Sequence, residues 1–188
     1  MGENQPEKKE EESEVKQENN REIKQEVIKL ENLKSGMERP EKGGRVCVTY
    51  GRDQIMNKQV VSLIRELGID PIVMQDKNNK TKPIAQFYTE HPDISFVIAI
   101  LSADDWVYPK NGKPDDARLY ADQRVIFHLG FWIGHLGRGH VFALYYDQRS
   151  FRWPTEHFDI IYTPLDKNSA WKKELTERLK ASGIEVTA

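Results

Sequence analysis

The chain has 188 residues, of which 38% are hydrophobic and 31% charged, and its formal net charge is -2. This length predicts one domain with an appendage rather than two full domains. Residues 1–42 carry 12 Glu and 9 Lys or Arg, which leaves 19 basic against 18 acidic side chains in the remainder. Without a basic excess, the composition argues against a protein devoted to duplex nucleic acid or to an anionic membrane surface.

The N-terminus is rich in Glu and Lys where a secretory signal would need an apolar core, and the sequence has no run of about 18 apolar residues. We therefore expect a cytoplasmic protein. The single cysteine, Cys47, lies between two valines and is expected to be a buried strand residue rather than a reactive thiol.

The first 42 residues differ in character from the rest. Residues 1–20 have almost no apolar side chains, which predicts disorder. Residues 23–37 predict a helix with one apolar stripe, which docks on the body or pairs with another chain. The stripe consists of Ile23, Val27, Leu30 and Met37. We expect a charged N-terminal extension, helical or disordered, at 1–42 and a folded domain at 43–188.

From Arg45 onwards, strand and helix patterns alternate. Strand 94–101 is apolar except for Ser95, which indicates burial on both faces and hence a parallel sheet. A polar loop is predicted at 102–116. The alternation predicts an α/β fold, a three-layer flavodoxin-like sandwich with a five-stranded parallel sheet of order 2-1-3-4-5. The predicted strands are 46–50, 72–74, 94–101, 141–145 and 159–163, and the predicted helices are 55–67, 83–90, 117–136 and 170–181.

Ligands of open α/β sheets bind at the carboxyl ends of the strands where the strand order reverses, here between the first and third strands. The loops concerned are Gly51–Gln54 and Ser102–Trp106, with Asp76–Lys82 alongside. A glycine directly after a strand lets backbone N–H groups approach an anion, and Arg52 is placed to hold a phosphate. The alternative is a turn glycine at Gly51, with Asp53 capping the next helix.

Two acidic residues follow the third strand. Asp104 and Asp105 predict a site for a ribose hydroxyl or a metal, or alternatively a turn or helix cap. A phosphorylated receiver domain is disfavoured because only one carboxylate, Asp53, follows the first strand. His128 and His135 are two turns apart on the long helix, so we expect packed histidines and no metal site.

The long helix carries a family resemblance. Val125–Arg138 reads VIFHLGFWIGHLGR and resembles the helix NVIFELGFFIGKLGR of the TIR-like nucleotide-binding domains found in bacterial antiphage effectors of CBASS and Pycsar type. Leu101–Asp105 resembles the family's LTPDD, and Ala170 with Trp171 opens the last helix. The resemblance spans about Arg45 to Gly183. It implies a TIR-like sandwich that acts as an NAD+ glycohydrolase, with NAD+ as substrate or ligand and with no other cofactor or metal.

The resemblance also implies the site residues. In the family, a glutamate of the long helix stabilises the ribosyl cation while nicotinamide leaves, and His128 stands at that position here. A neutral imidazole supplies no negative charge. Other positions at which this sequence departs from the family pattern include Tyr120, Asp122 and Ala85. The predicted ligand-binding residues are Tyr50, Gly51, Arg52, Asp53, Ser102, Asp104, Asp105, Trp106, Gln123 and Arg124.

Three functions follow as hypotheses. The first is a TIR-like domain that binds NAD+ or a related nucleotide, with glycohydrolase activity that is weak, rebuilt around Asp104, Asp105 and His128, or lost. The second is a non-catalytic TIR module that signals by assembling, as a homo-oligomer or with a partner, through the TIR domain or residues 23–37. The third, less favoured, is a nucleoside deoxyribosyltransferase-like enzyme. Neither duplex nucleic acid nor a membrane is an expected partner.

Overall fold

The computed structural model describes residues 44–74, 83–146, 148, 150–152, 162–166 and 168–187. The predicted N-terminal extension and the loop Asp76–Lys82 lie outside these residues. The elements are β1 (Arg45–Tyr50), α1 (Gln54–Glu66), β2 (Ile72–Val73), α2 (Ile84–Glu90), β3 (Ile94–Leu101), β4 (Asp105–Val107), β5 (Arg118–Tyr120), α3 (Gln123–Leu136), β6 (Val141–Tyr145), β7 (Tyr162–Pro164) and α4 (Ala170–Ala181).

Five parallel strands form the main sheet in the order β2-β1-β3-β6-β7. When these five strands are counted along the chain, the order is the predicted 2-1-3-4-5. Every residue of β3 is buried, because β1 and β6 flank it and helices cover both faces of the sheet. The predicted three-layer α/β sandwich is therefore confirmed. No helix among the described residues is long and apolar enough to cross a bilayer.

Two cores lie on opposite faces of the sheet. One contains Phe96, Ile98 and Trp171 and packs under α1 and α4, while the other contains Val97 and Trp132 and packs under α2 and α3. Side chains alternate along each strand, so neighbouring residues at the carboxyl end of β1 face different helices. This alternation decides which end-of-strand side chains reach α3.

The main difference from the sequence prediction lies between β3 and α3. The predicted polar loop at 102–116 contains β4, which pairs with β5 as an antiparallel hairpin with Trp106 opposite Leu119. The predicted helix start at residue 117 is also wrong, since α3 begins at Gln123 after its cap residue, Asp122. The apolar residues Leu119 and Tyr120 resemble a continuation of the helical pattern, but their backbones are used in the hairpin.

The hairpin receives a third segment from far along the chain. The Leu119 N–H donates to the Ser150 carbonyl at 3.0 Å, and the Arg152 N–H donates to the Leu119 carbonyl at 2.8 Å. These two bonds place residues 150–152 beside β5. The last strand, β7, ends at Pro164, one residue beyond the predicted end at 163, and residues 159–161 of the predicted strand lie outside the described residues.

Candidate functional site

Asp104 lies at the centre of the carboxyl edge of the sheet, where β1 and β3 end. Its Oδ1 accepts hydrogen bonds from the Arg52 N–H at 3.0 Å and from the Ser102 hydroxyl at 2.8 Å. Its Oδ2 accepts from the Asp122 N–H at 3.1 Å, and its own N–H donates to the Tyr120 carbonyl at 2.9 Å. This carboxylate therefore connects the loop after β1, the loop after β3 and the start of α3.

Gly51 is buried beside this carboxylate. A Cβ atom at residue 51 would overlap the Asp104 carboxylate and would lie 2.9 Å from Ser102 Oγ. Because only glycine lacks the Cβ, this position admits the close approach of the two loops. The structure thus gives Gly51 a packing reason that is independent of any bound anion.

Two arginines and two aspartates form an alternating cluster around this point. The Arg52 guanidinium lies 2.9 Å from Asp105 Oδ1 and 3.8 Å from Asp122 Oδ2. Arg124 holds Asp122 in a two-pronged contact, with Nε to Oδ1 at 3.0 Å and Nη2 to Oδ2 at 2.7 Å. Asp122 is only 5% exposed, yet the hydrogen bonds from Arg124 lower the pKa of its carboxyl against the opposing effect of burial. It therefore stays ionised.

His128 is half-buried on the face of α3 that meets β1. Its Nδ1 lies 2.9 Å from the hydroxyl of Thr49, which is fully buried. Burial lowers the pKa of the imidazole, the Arg124 guanidinium lowers it further, and Asp122 opposes this. The ring is therefore neutral near pH 7.

His135 belongs to a different environment. Its ring packs against Tyr88 with centroids 4.4 Å apart and stacks on Phe131 at 6.0 Å. This aromatic packing matches the expected role of a packed histidine. Within the described part of the chain, no group of three or more His, Cys, Asp or Glu side chains is arranged to hold a metal ion.

A cavity of about 380 Å³ adjoins the charged cluster. Asp105 belongs to both, since it lines the cavity and pairs with Arg52. Apolar side chains from the hairpin and from α3 make up much of the wall, and Arg152 adds a guanidinium at the rim. Such a lining suits a flat ligand group with polar substituents. The lining residues are Asp105, Val107, Tyr120, Ala121, Gln123, Ile126 and Arg152.

Most of the predicted ligand-binding residues gather at this edge, but three have other surroundings. Tyr50 is 4% exposed and packs in the core under α1 and α4, on the opposite face of the sheet from His128. The Asp53 carboxylate caps α1 by accepting from the N–H groups of Ile55 and Met56, which is the capping alternative. Trp106 is 64% exposed and, by strand alternation, lies on the other face of the hairpin from Asp105.

Sequence reasoning missed several residues of the edge. Asp122 had a usable signal, since an aspartate just before an apolar helical pattern fits a helix cap, but the predicted helix ran through it. Thr49 is recognisable only once β1 is known to meet α3. Arg152 had no signal, because its place depends on pairing with β5. Tyr120 was named only as an altered family position, and Val107 was missed, because the hairpin was not predicted.

The comparisons with known proteins agree with the fold. Residues 45–167 match the family described as "CAP12/Pycsar effector protein, TIR domain". The chain belongs to this family. The match covers β1 to the end of β7, so the whole charged cluster and the cavity lie within the TIR domain. The resemblance read from the long helix is thereby confirmed.

Two curated relatives share part of this TIR domain. The uncharacterized protein YuaY of Escherichia coli (strain K12) is 28% identical over 144 residues, which are 74% of this chain and 46% of the relative. Protein tirC of Dictyostelium discoideum is 29% identical over 103 residues, which are 53% of this chain and 51% of the relative. The chain thus spans about half the length of the curated relatives it matches.

Proposed function

We propose that this TIR domain binds NAD+ or a related nucleotide at the carboxyl edge of its sheet, and that NAD+ cleavage is weak or absent. The observation that carries the proposal is the state of the acidic groups at this edge. The carboxylates of Asp104, Asp105 and Asp122 are all engaged by hydrogen bonds or arginines, while His128 is neutral.

The binding half of the proposal rests on the two arginines and the cavity. Each guanidinium has five donors, and its carboxylate partner uses only some of them, so donors remain for phosphate oxygens. Arg52 has 64% of its side chain exposed and is oriented by Asp105. A planar base fits the neighbouring cavity against Tyr120 and Ile126, with Arg152 at the rim as a further cation for the phosphates.

The catalytic half concerns the ribosyl cation. Breaking the bond between nicotinamide and ribose leaves positive charge on the ribose carbon, and a nearby free carboxylate stabilises it. At the position where the resemblance puts a glutamate, His128 offers a neutral ring held by Thr49. Rebuilding the reaction around Asp104 is disfavoured because three donors already use its oxygens. A deoxyribosyltransferase-like reaction needs the same kind of carboxylate and is disfavoured for the same reason.

A second candidate function is a non-catalytic assembly module. The observation in its favour is a set of large apolar side chains exposed on the hairpin and on α3: Trp106 is 64%, Tyr108 51% and Phe127 63% exposed. Exposed apolar groups of this size often mark contact surfaces. Concentration-dependent association without nucleotide binding, measured by sedimentation, is the result that favours this function over the first.

Calorimetric titration with NAD+ tests the binding proposal. Arg52→Gln removes a charged donor from the cluster and should weaken NAD+ binding about tenfold, since a hydrogen bond to a charged group is worth roughly 1.5–3 kcal/mol. Arg65→Gln is the matched control. The Arg65 side chain is also 64% exposed and also pairs with an aspartate, but Arg65 lies on α1, outside the charged cluster. Equal affinities of the wild type and both variants contradict the proposed site, as does a wild type that does not bind NAD+.

A further inference from the structure

We infer that Asp104 is a positioning residue, which ties together the loop after β1, its own loop after β3 and the start of α3 beneath the nucleotide. Its link to nucleotide binding rests on the proposed function. The link to the loops rests on the geometry alone, so the two parts are separable by experiment.

The donors to Asp104 come from three separate segments. Arg52 is 52 residues away in sequence and Asp122 is 18 residues away, while Ser102 lies at the end of the adjoining strand. A carboxylate has about four acceptor sites, and three are used here. Two of the three donors are backbone N–H groups, so the contact fixes the path of the chain rather than the direction of a flexible side chain.

Both arginines of the charged cluster depend on these two backbone contacts. The first contact fixes the backbone of Arg52, whose guanidinium then reaches Asp105 at 2.9 Å. The second fixes Asp122, which caps α3 and holds Arg124 at 2.7 Å. One carboxylate therefore sets the positions of two guanidiniums, one on the loop after β1 and one in the first turn of α3.

Gly51 gives a second way to disturb the Asp104 carboxylate, without changing Asp104 itself. Gly51→Ala removes no hydrogen-bonding group, but its Cβ would displace the Asp104 carboxylate. Gly51 is not among the residues with positive φ, so alanine is not strained by the backbone conformation itself. If positioning is the role of Asp104, this variant reproduces the effects of Asp104→Ala on the amides of Arg52 and Asp122.

Amide hydrogen exchange followed by NMR, without nucleotide, tests the positioning role. In Asp104→Ala, the amides of Arg52 and Asp122 should exchange about tenfold faster or more, while those of β3 keep their protection and report an intact fold. Gly51→Ala should give the same pattern. Asp104→Asn should release only one of the two amides, because its single carbonyl oxygen still accepts while its NH2 group cannot.

Asp116→Asn is the matched control, since the Asp116 carboxylate also accepts a backbone N–H, from Lys113 at 2.8 Å, but within the hairpin. It should leave both amides unchanged. In the nucleotide arm, NAD+ affinity should fall about tenfold in Asp104→Ala and Gly51→Ala and stay constant in Asp116→Asn. Unchanged exchange at both amides in Asp104→Ala overturns the inference, whatever happens to NAD+. Faster exchange with unchanged NAD+ affinity overturns the role of Asp104 in nucleotide binding. A wild type that does not bind NAD+ contradicts the proposed function, and the exchange result then still decides whether Asp104 positions the loops.

Discussion

At the residue scale, the proposed function depends on the charge that His128 carries. Burial and the Arg124 guanidinium both lower the pKa of its imidazole, and the Thr49 hydroxyl binds Nδ1. The opposing influence of Asp122 is limited because Arg124 already neutralises that carboxylate. A neutral ring in this place neither stabilises nor repels a ribosyl cation strongly, so the surroundings of His128 fit nucleotide binding better than cleavage.

The lowered pKa of His128 predicts a loss of stability at acidic pH. In the unfolded chain, a histidine has a pKa of about 6.5, whereas the pKa of His128 in the folded protein is lower. Below pH 6.5 the unfolded chain therefore binds a proton that the folded one does not, and the free energy of unfolding falls. His128→Gln preserves a hydrogen-bonding partner for Thr49 without this titration.

The measurement is urea unfolding of the wild type and His128→Gln at pH 7.5 and 5.5. The variant should lose less stability between these pH values, with a difference of up to about 1.4 kcal/mol per pH unit, the slope for one proton. Some pH dependence should persist in the variant, because burial also lowers the pKa of His135. Identical pH dependence in both proteins would show that His128 is protonated equally in the folded and unfolded states.

At the element scale, the sequence predicted elements bounded by clear breaks well and the three-residue strands poorly. The predicted limits of β3, β6 and α4 coincide with the observed ones, because polar or turn residues flank each apolar run or helical stripe, whereas the start of α3 was obscured by the apolar residues of β5. The three-residue strands β4 and β5 have too few side chains for a period to show. The convergence of the loops after β1 and β3 followed from the sheet order, whereas the approach of residues 150–152 depends on long-range pairing that has no local signal.

The start of α3 gives a prediction at this scale. Asp122→Ala removes the cap of α3 and the two-pronged contact with Arg124, so it should lower the free energy of unfolding by about 2 kcal/mol. Asp53→Ala is the control, because Asp53 caps α1 and pairs with no arginine among the residues that the structure describes. A simple cap is worth about 1 kcal/mol. Urea unfolding compares the two. Equal losses would mean that the arginine contact adds nothing to the cap.

At the scale of the whole molecule, the fold and the chemistry of this TIR domain depend on different residues. The fold rests on the two apolar cores and on β3, which is buried along its whole length between them. The candidate site rests on polar side chains of the loops at one edge of the sheet. A change of one charged group on α3 can therefore alter catalysis while the family's sandwich stays intact.

The most direct test of the central claim is nicotinamide release from NAD+ by the wild type, His128→Glu and His128→Gln. The wild type should release little or none, because His128 is neutral and the described carboxylates at this edge are held by hydrogen bonds or by arginines. His128→Glu should raise the rate about tenfold or more, since a placed charge in a site shielded from water is worth roughly 2–4 kcal/mol, and Thr49 and Arg124 are in place to hold the new carboxylate. His128→Gln, which adds no charge, should show no gain. Rapid release by the wild type that is lost in His128→Glu would contradict the account and would make His128 the acid–base group of an active enzyme.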